Sequence, residues 1–398
     1  MPHLFAPGRQ RLLLLLLIAA IGFLFPLTAA TPWLKKPLQF VSADSVMTWS
    51  YSGTDFRQYV SSRDSTVKAP IFGITGEMWQ RRDEIAALCR EVSLHLNVVG
   101  GGDDERTVPQ GLPARVALSA NAYMLLLTGQ ASHADIIERC LMNATVQTAG
   151  CTRLPFRQRD RRASFESLLA LPALMYAYGE SDLYVNLYTN STARLQMADH
   201  RFTLDQITDM PADGAVKIRI SRLRHPMRLR LHLRMPDWVR GSMASPLPFA
   251  YDLQQSRLPR IFVCGHELAD VQPDENGYVV IDREWQSLDE VYFTLPLTPT
   301  CIRHTDPNGV GQRGSVALQV GPLVYAMPTP SFPYYFSTQS PLTLANELSS
   351  EGLPVVKGVL YNTSAAKADA PAPAVPFLAT PFCEQHDSVG TVWCTECK

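Results

Sequence analysis

Apolar residues recur along this chain with two different periods, and the period changes near residue 181. From Gln80 onward Ile85, Leu88, Cys89, Val92 and Leu96 return at helical spacing, as do Val116, Ala120, Tyr123, Met124 and Leu127. A third helix is predicted over His133–Ala144, with Ile136, Ile137, Cys140 and Leu141 on one face. A fourth is predicted over Ala163–Tyr178, through Phe165, Leu168, Leu169, Leu171 and Met175. Gly129 and Gly179 stand where helix ends favour glycine. Residues 80–180 therefore read as antiparallel helix pairs.

Past Asp182 the period becomes two. Val216, Ile218 and Ile220 alternate with charged residues, as do Leu229, Leu231 and Leu233. Further short strands are predicted over Arg260–Val263, Tyr278–Ile281, Val291–Leu295 and Val316–Val320, separated by Pro, Gly, Asp and Asn turns. Short strands at this spacing build an antiparallel β-sandwich, here over residues 181–330. Residues 31–79 show no clear period and read as loops with short strands. Residues 365–380, rich in Ala and Pro, read as a flexible or polyproline linker within a 331–398 segment that ends in a cysteine-containing tail. No internal repeat is visible.

A chain of 398 residues with 46% hydrophobic content has room for two ordinary domains. Its 36 basic and 37 acidic residues nearly cancel, and that balance gives no sign of a nucleic-acid or anionic-membrane partner. Residues 1–30 change the picture more. Arg9 and Arg11 precede an apolar run from Leu12 to Phe25, then Pro26 and Thr28-Ala29-Ala30. This is the pattern of a secretory signal peptide. An uncleaved signal anchor is the alternative, since Leu12–Ala30 is just long enough to span a bilayer, and only then is a membrane a partner. Asn143-Ala-Thr145, Asn190-Ser-Thr192 and Asn362-Thr-Ser364 are candidate glycan acceptors, each of which would have to lie on the surface.

Eight cysteines (89, 140, 151, 264, 301, 383, 394, 397) suit disulfides in an oxidising compartment. Cys383, His386, Cys394 and Cys397 have the donors for a zinc knot, but their gap is shorter than zinc-finger spacing, and disulfides or unpaired thiols are favoured. Neither H-E-x-x-H nor G-x-S-x-G occurs, and Gly100-Gly-Gly102 lacks the residues of a phosphate loop. Gly265-His266-Glu267 reads as a turn between strands.

Several segments in order carry a resemblance. They are Leu183-Tyr-Val-Asn-Leu-Tyr188, Thr208 with Asp213-Gly214, Leu233-Arg-Met-Pro-Asp-Trp238, Gly277-Tyr-Val-Val-Ile-Asp-Arg283 with Trp285, and Val320-Gly-Pro-Leu-Val-Tyr-Ala326. Together they resemble glycoside hydrolase family 127, the β-L-arabinofuranosidase-like proteins, most strongly over roughly 165–330. Leu125-Leu-Leu-Thr-Gly129, Ala134-Asp135, Glu138-Arg139 and Leu141-x-Asn143 resemble that family's late helices. The resemblance implies an α+β multidomain fold, a partial (α/α)6-type helical barrel of six-hairpin glycosidase type followed by the sandwich. The chain has room for about four of the barrel helices.

The resemblance also implies retaining hydrolysis of β-L-arabinofuranosides by a cysteine thiolate whose pKa is lowered by zinc. That zinc rests on three cysteines and a glutamate, from a Glu-x-Cys and a Cys-Cys-Pro-x-Asn motif. Here the first should fall near Gln110–Ala117, which holds neither residue type, and the second between Phe156 and Phe165, where Arg157-Gln-Arg-Asp-Arg-Arg162 stands. Zinc is thus the family's cofactor, and its ligands are missing. Cys151 is the nearest thiol and reads as a core residue or disulfide half. Glu105, after the Gly100–Gly102 triplet, matches the family's acid/base glutamate, against the plainer reading of a solvated acidic loop.

Two functional expectations follow. One is a catalytically degenerate, secreted glycosidase relative that binds a carbohydrate or a protein. The other is an active glycosidase using Glu105 with Asp103, Asp104 or Asp160, since two carboxylates flanking the bond suffice. A truncated gene product is the third possibility. The basic run Arg157–Arg162 reads as a solvated helix start rather than an anion site.

Overall fold

The computed structural model describes residues 33–48, 55–94, 96, 111–150, 158–244, 246–252, 255–305, 315–365, 372–385 and 392–395. After two short strands, helices dominate the described part up to residue 174: α1 (Phe56–Ser61), α2 (Gly76–Gln80), α3 (Arg82–Leu94), α4 (Gly111–Thr128), α5 (Ala131–Cys140), α6 (Val146–Gly150) and α7 (Gln158–Leu174). Asp55 caps α1 by accepting from the backbone of Arg57 and Gln58, and Thr75 caps α2 through Met78 N. These two helices arise in the stretch that shows no period, because five or six residues are too few to display one. Helix α4 is apolar on nearly every side, and Ala117, Leu118, Ala122, Leu125, Leu126 and Leu127 are all buried. Such a helix must be surrounded, and α3, α5 and α7 pack against it. Gly129 (φ +68°) ends it, donating to Leu125 O at 2.9 Å.

Two helix boundaries differ from expectation. The helix predicted over His133–Ala144 starts earlier and passes through a π-helical turn, Leu141–Thr145, into α6. The helix predicted to reach Tyr178 stops at Leu174, two residues beyond Pro172, and Tyr176–Tyr178 form a strand. Proline weakens the last turn, and the aromatic pair suits a sheet. Gly179 accordingly belongs to a strand turn, donating to Asp182 O, and caps no helix.

Strand β1 (Gln39–Phe40), β3 (Tyr176–Tyr178), β4 (Asp182–Val185), β8 (Met227–Arg234) and β12 (Tyr278–Trp285) form a five-stranded sheet in the order β1-β3-β4-β8-β12. A seven-stranded sheet contains β2 (Val46–Thr48), β5 (Ser191–Met197), β6 (His200–Thr208), β7 (Ala215–Ser221), β10 (Ile261–Val263), β11 (His266–Glu267) and β13 (Glu290–Thr294). Its order is β11-β10-β13-β7-β6-β5-β2. The alternating residues Val216, Ile218 and Ile220 of one sheet and Leu229, Leu231 and Leu233 of the other share one core with Trp285 and Phe293. All strand pairs are antiparallel except β4–β8. The fold is thus mixed α/β.

A third sheet joins β9 (Phe249–Tyr251), β14 (Thr300–His304), β15 (Ser315–Val320), β16 (Leu323–Ala326), β17 (Tyr334–Tyr335), β18 (Thr343–Leu348), β19 (Pro354–Asn362), β20 (Ala374–Pro381) and β21 (Cys394–Thr395). Over its described part, 372–380, this corrects the linker expected over 365–380; residues 366–371 lie outside the described residues. Strand β20 pairs with Val356–Tyr361 of β19 and with β16. Proline blocks a ladder only at its own nitrogen, and Val375, Phe377 and Leu378 supply strand-forming surface between Pro373, Pro376 and Pro381.

The described thiols Cys89, Cys140, Cys264, Cys301, Cys383 and Cys394 form no disulfides, so the expected pairing is not met among the described residues. Burial pushes Cys89, Cys140, Cys383 and Cys394 up to about 12, which keeps these thiols protonated and unreactive. Cys151, Cys397 and His386 lie outside the described residues.

Candidate functional site

The segments that carry the chain's resemblance meet at one place. Along β8 the outward-facing side chains begin exposed, at Arg228 and Arg230, and end buried, at His232 against Tyr184 and Tyr278 and at Arg234 against helix α5. Arg234 is 0% exposed and donates to Asp135 (2.5 Å) and to Glu138, which stand three residues apart on α5. The next residues continue the contact. Trp238 Nε1 donates to Glu138 at 3.3 Å, Asp237 N to Asp135 at 3.3 Å, and Arg240 to Asp135 at 2.6 Å. Trp238 and Arg240 belong to a short helix, α8 (Asp237–Arg240), closed by Gly241 in the left-handed region.

A second set of bonds runs from α5 to the third sheet. Arg139 donates to Gln319 (3.0 Å) and pairs with Asp237 (3.5 Å), whose other oxygen accepts from Tyr251 at 2.9 Å. Asn143 donates to Pro322 O and accepts from Val324 N, at 3.0 and 2.9 Å. Asn143 is fully buried, so it cannot carry the glycan its sequon suggests. Gly277 (φ +88°) lets β12 approach α5: a Cβ there would stand 2.8 Å from that of Ala131. Burial, helped by nearby Asp237, pushes the Asp135 carboxyl up to about 6 against the pull of Arg240 and Arg234. The junction is therefore a closed, ion-paired clamp between layers, and its polar groups face one another.

The resemblance places the catalytic residues at and before the starts of α4 and α7. Glu105, Asp103, Asp104, Gln110, Cys151 and Arg157 lie outside the described residues, and only the backbone of Asp160 is described. The described ends of the two expected ligand segments do come together. Arg115 of α4 and Arg162 of α7 meet on Glu166: Arg115 Nε lies 2.8 Å from one carboxylate oxygen and Arg162 Nε 3.5 Å from the other. Arg162 also pairs with Asp64 at 3.6 Å and donates to Thr66 at 3.0 Å, tying α7 to the turn after α1. Among the described residues no three His, Cys, Asp or Glu side chains converge as a metal's ligands would. A guanidinium offers no lone pair, so these residues do not fit zinc.

Sequence reasoning missed both clusters as structures. The junction residues were in view, since Asp135, Glu138, Arg139, Asn143, Arg234 and Trp238 all fall in segments quoted for resemblance. What sequence could not tell was that those segments touch. For the helix ends the available signal was the i,i+4 spacing of Arg162 and Glu166 on one helix face.

Residues 182–297 match the family described as "Beta-L-arabinofuranosidase, GH127 middle domain". No curated protein sequence matches the chain. Solved structures do. A GH127 β-arabinofuranosidase aligns with TM-score 0.67 at 21% identity, covering 80% of this chain and 59% of its own. A GH127 β-L-arabinofuranosidase from Geobacillus stearothermophilus T6 aligns with TM-score 0.65 at 20% identity, covering 80% and 57%. A further glycoside hydrolase aligns with TM-score 0.66 at 16% identity, covering 81% and 63%. The chain thus spans about three-fifths of the length of these relatives, and the likeness is one of fold.

Proposed function

We propose that this GH127-like protein is a secreted, carbohydrate-binding relative of the β-L-arabinofuranosidases that does not hydrolyse by the cysteine–zinc route. The observation that carries the reading is the Arg115–Glu166–Arg162 cluster. It stands where the resemblance expects anionic or lone-pair ligands from both helix starts, and two fixed cations there repel a dication. No step through zinc is derived from such a set.

The remaining parts of the proposal follow from the same frame. Helices α3–α7 are part of an (α/α)6-type barrel, with the β-sandwich over 181–330 as its support. The N-terminal segment 1–30 directs secretion. Asn190 and Asn362, both partly exposed, accept glycans, and Asn143 does not.

The test uses the full-length protein recovered from a secretory host. Metal content is measured by mass spectrometry, turnover with an aryl β-L-arabinofuranoside, and binding with arabino-oligosaccharides. The expected result is substoichiometric zinc, no turnover above buffer, and saccharide binding. Stoichiometric zinc with turnover lost in Cys151→Ser would overturn the reading. So would zinc-free hydrolysis lost in Glu105→Gln.

A further inference from the structure

A cleft of about 960 Å³ opens on the seven-stranded sheet. Its walls are the β5–β6 hairpin, which turns at Ala198–Asp199, and the turn that follows β7 from Arg222 to His225; Ser45 completes the lining. The side chains around it are cationic. Arg194 and Arg201 come from the hairpin, Arg222 and Arg224 from the opposite turn, and His200 and His225 lie beside them. The lining contains one carboxylate, Asp199.

The state of these arginines differs from that of their neighbours. On the same two sheets Arg228, Arg230, Arg260 and Arg283 each pair with a carboxylate: Asp282, Asp182, Glu267 and Asp289 respectively. Among the described residues Arg194, Arg222 and Arg224 pair with none, although all three are exposed. Arg201 is held only by the side-chain oxygen of Gln196, at 3.2 Å. Four guanidiniums against one acid, in a chain whose formal net charge is −1, make a local positive field that the fold itself does not neutralise.

We infer that this cleft binds an acidic glycan, a chain of uronate-bearing sugars whose carboxylates take the free guanidiniums. The inference rests on the carbohydrate-binding reading above and names the chemical class of the ligand. The guanidinium fork matches a carboxylate in a bidentate way, which a neutral furanoside cannot exploit. The volume lies within the range of ligand pockets and suits a short saccharide stretch. The lining presents no exposed Phe, Tyr or Trp ring, since Phe202 is buried, so it lacks the large aromatic platform on which bases stack best. Leu195 and Leu223 are buried too, so there is no apolar side chain to enter a lipid surface.

The probe is trigalacturonate, titrated calorimetrically against the full-length protein in about 50 mM and about 300 mM salt. Arabinotriose, anionic vesicles and a single-stranded oligonucleotide serve as the other arms. The expected result is trigalacturonate binding that weakens with salt and falls about tenfold or more in the R222Q/R224Q double variant, with R194Q giving a smaller loss. Unchanged melting temperatures show that these exposed changes leave the fold intact. Equal trigalacturonate affinity in the double variant would overturn the inference. Vesicle or oligonucleotide binding lost in that variant, without trigalacturonate binding, would also overturn it. Arabinotriose binding without trigalacturonate binding removes the acidic ligand and leaves the broader reading standing. Zinc-dependent turnover alongside intact trigalacturonate binding does the reverse.

Discussion

Arginine meets carboxylate in two places that matter here, and the surroundings differ. Between α5 and β8 the Arg234 side chain is fully buried, with Asp135 and Glu138 at 0% and 4% exposure. At the starts of α4 and α7 the Arg162 side chain is 43% exposed, and Glu166, shared with Arg115, is 14% exposed. The first arrangement fixes how the helical layer sits on the sheets. The second fills a place where the resemblance expects chemistry. The comparison teaches that segments carrying the resemblance are also ones that join the layers. A frame can keep its joint while the residues beyond it change.

The largest effect should come from breaking the joint. Replacing Arg234 by Met removes the cation and leaves two carboxylates without it in a dry interior. Breaking a buried pair from one side costs about 3–5 kcal/mol. Denaturant unfolding of R234M should show that loss, and a cost below about 1 kcal/mol would show that the clamp does not hold the layers. The triple variant D135L/E138M/R234M should recover only part of the loss: it removes the unbalanced carboxylates with the cation, but leaves Arg240, Trp238 Nε1 and Asp237 N without their acceptors.

A titration sharpens the same side of the comparison. His133, near the start of α5, is buried and bonded through Nδ1 to Asn121 Oδ1 at 2.9 Å. Burial lowers it from 6.5 to about 4. The unfolded chain therefore takes a proton below pH 6.5 that the native chain refuses until about pH 4. Its contribution is fully present above pH 6.5 and is lost as pH falls toward 4, by about 3 kcal/mol in all. Asp135 has the opposite slope: its raised carboxyl holds a proton more tightly when folded, favouring the native state as pH falls below about 6. The stability difference between wild type and H133Q, followed against pH, cancels the Asp135 slope. A flat difference between pH 4 and 6.5 would remove His133 from the account.

How much of this was legible beforehand depended on what each residue had to reveal. The strands with Val216, Ile218 and Ile220, or Leu229, Leu231 and Leu233, announced themselves because one buried face imposes a period of two. Helices α3 to α5 and α7 did so through their core stripe. Strand β20 hid behind its prolines, and α1 and α2 were too short to show a period. Arg234 hid differently. Its place continues the polar face of β8, and only α5, about a hundred residues away in sequence, turns that face inward. Local pattern reports which side a residue faces, and burial by a distant element is invisible to it. For the same reason Asn143 read as a surface sequon while it bridges to Pro322 and Val324. At the helix ends the sequence showed arginines where the resemblance expects glutamate and cysteines. It did not show that Arg115 and Arg162 would converge on Glu166.

The smallest effect, and the one that tests the contrast itself, belongs to Glu166→Gln. The change leaves Arg115 and Arg162 without their shared carboxylate, but Arg162 keeps Asp64 and Thr66 and reaches solvent. Water screens the Arg162–Glu166 pair, but the Arg115 and Glu166 side chains are only 10% and 14% exposed, so about 1–2 kcal/mol is expected from denaturant unfolding, less than for R234M. R234M, by contrast, has no water to fall back on. If E166Q costs as much as R234M, the helix ends are as sealed and as structural as the joint. Glu166 would then be a core ion pair, and its position beside the expected ligand segments would say nothing about lost chemistry. If E166Q costs clearly less than R234M, the frame does not depend on this cluster as it does on the joint, as a vacated catalytic site would allow.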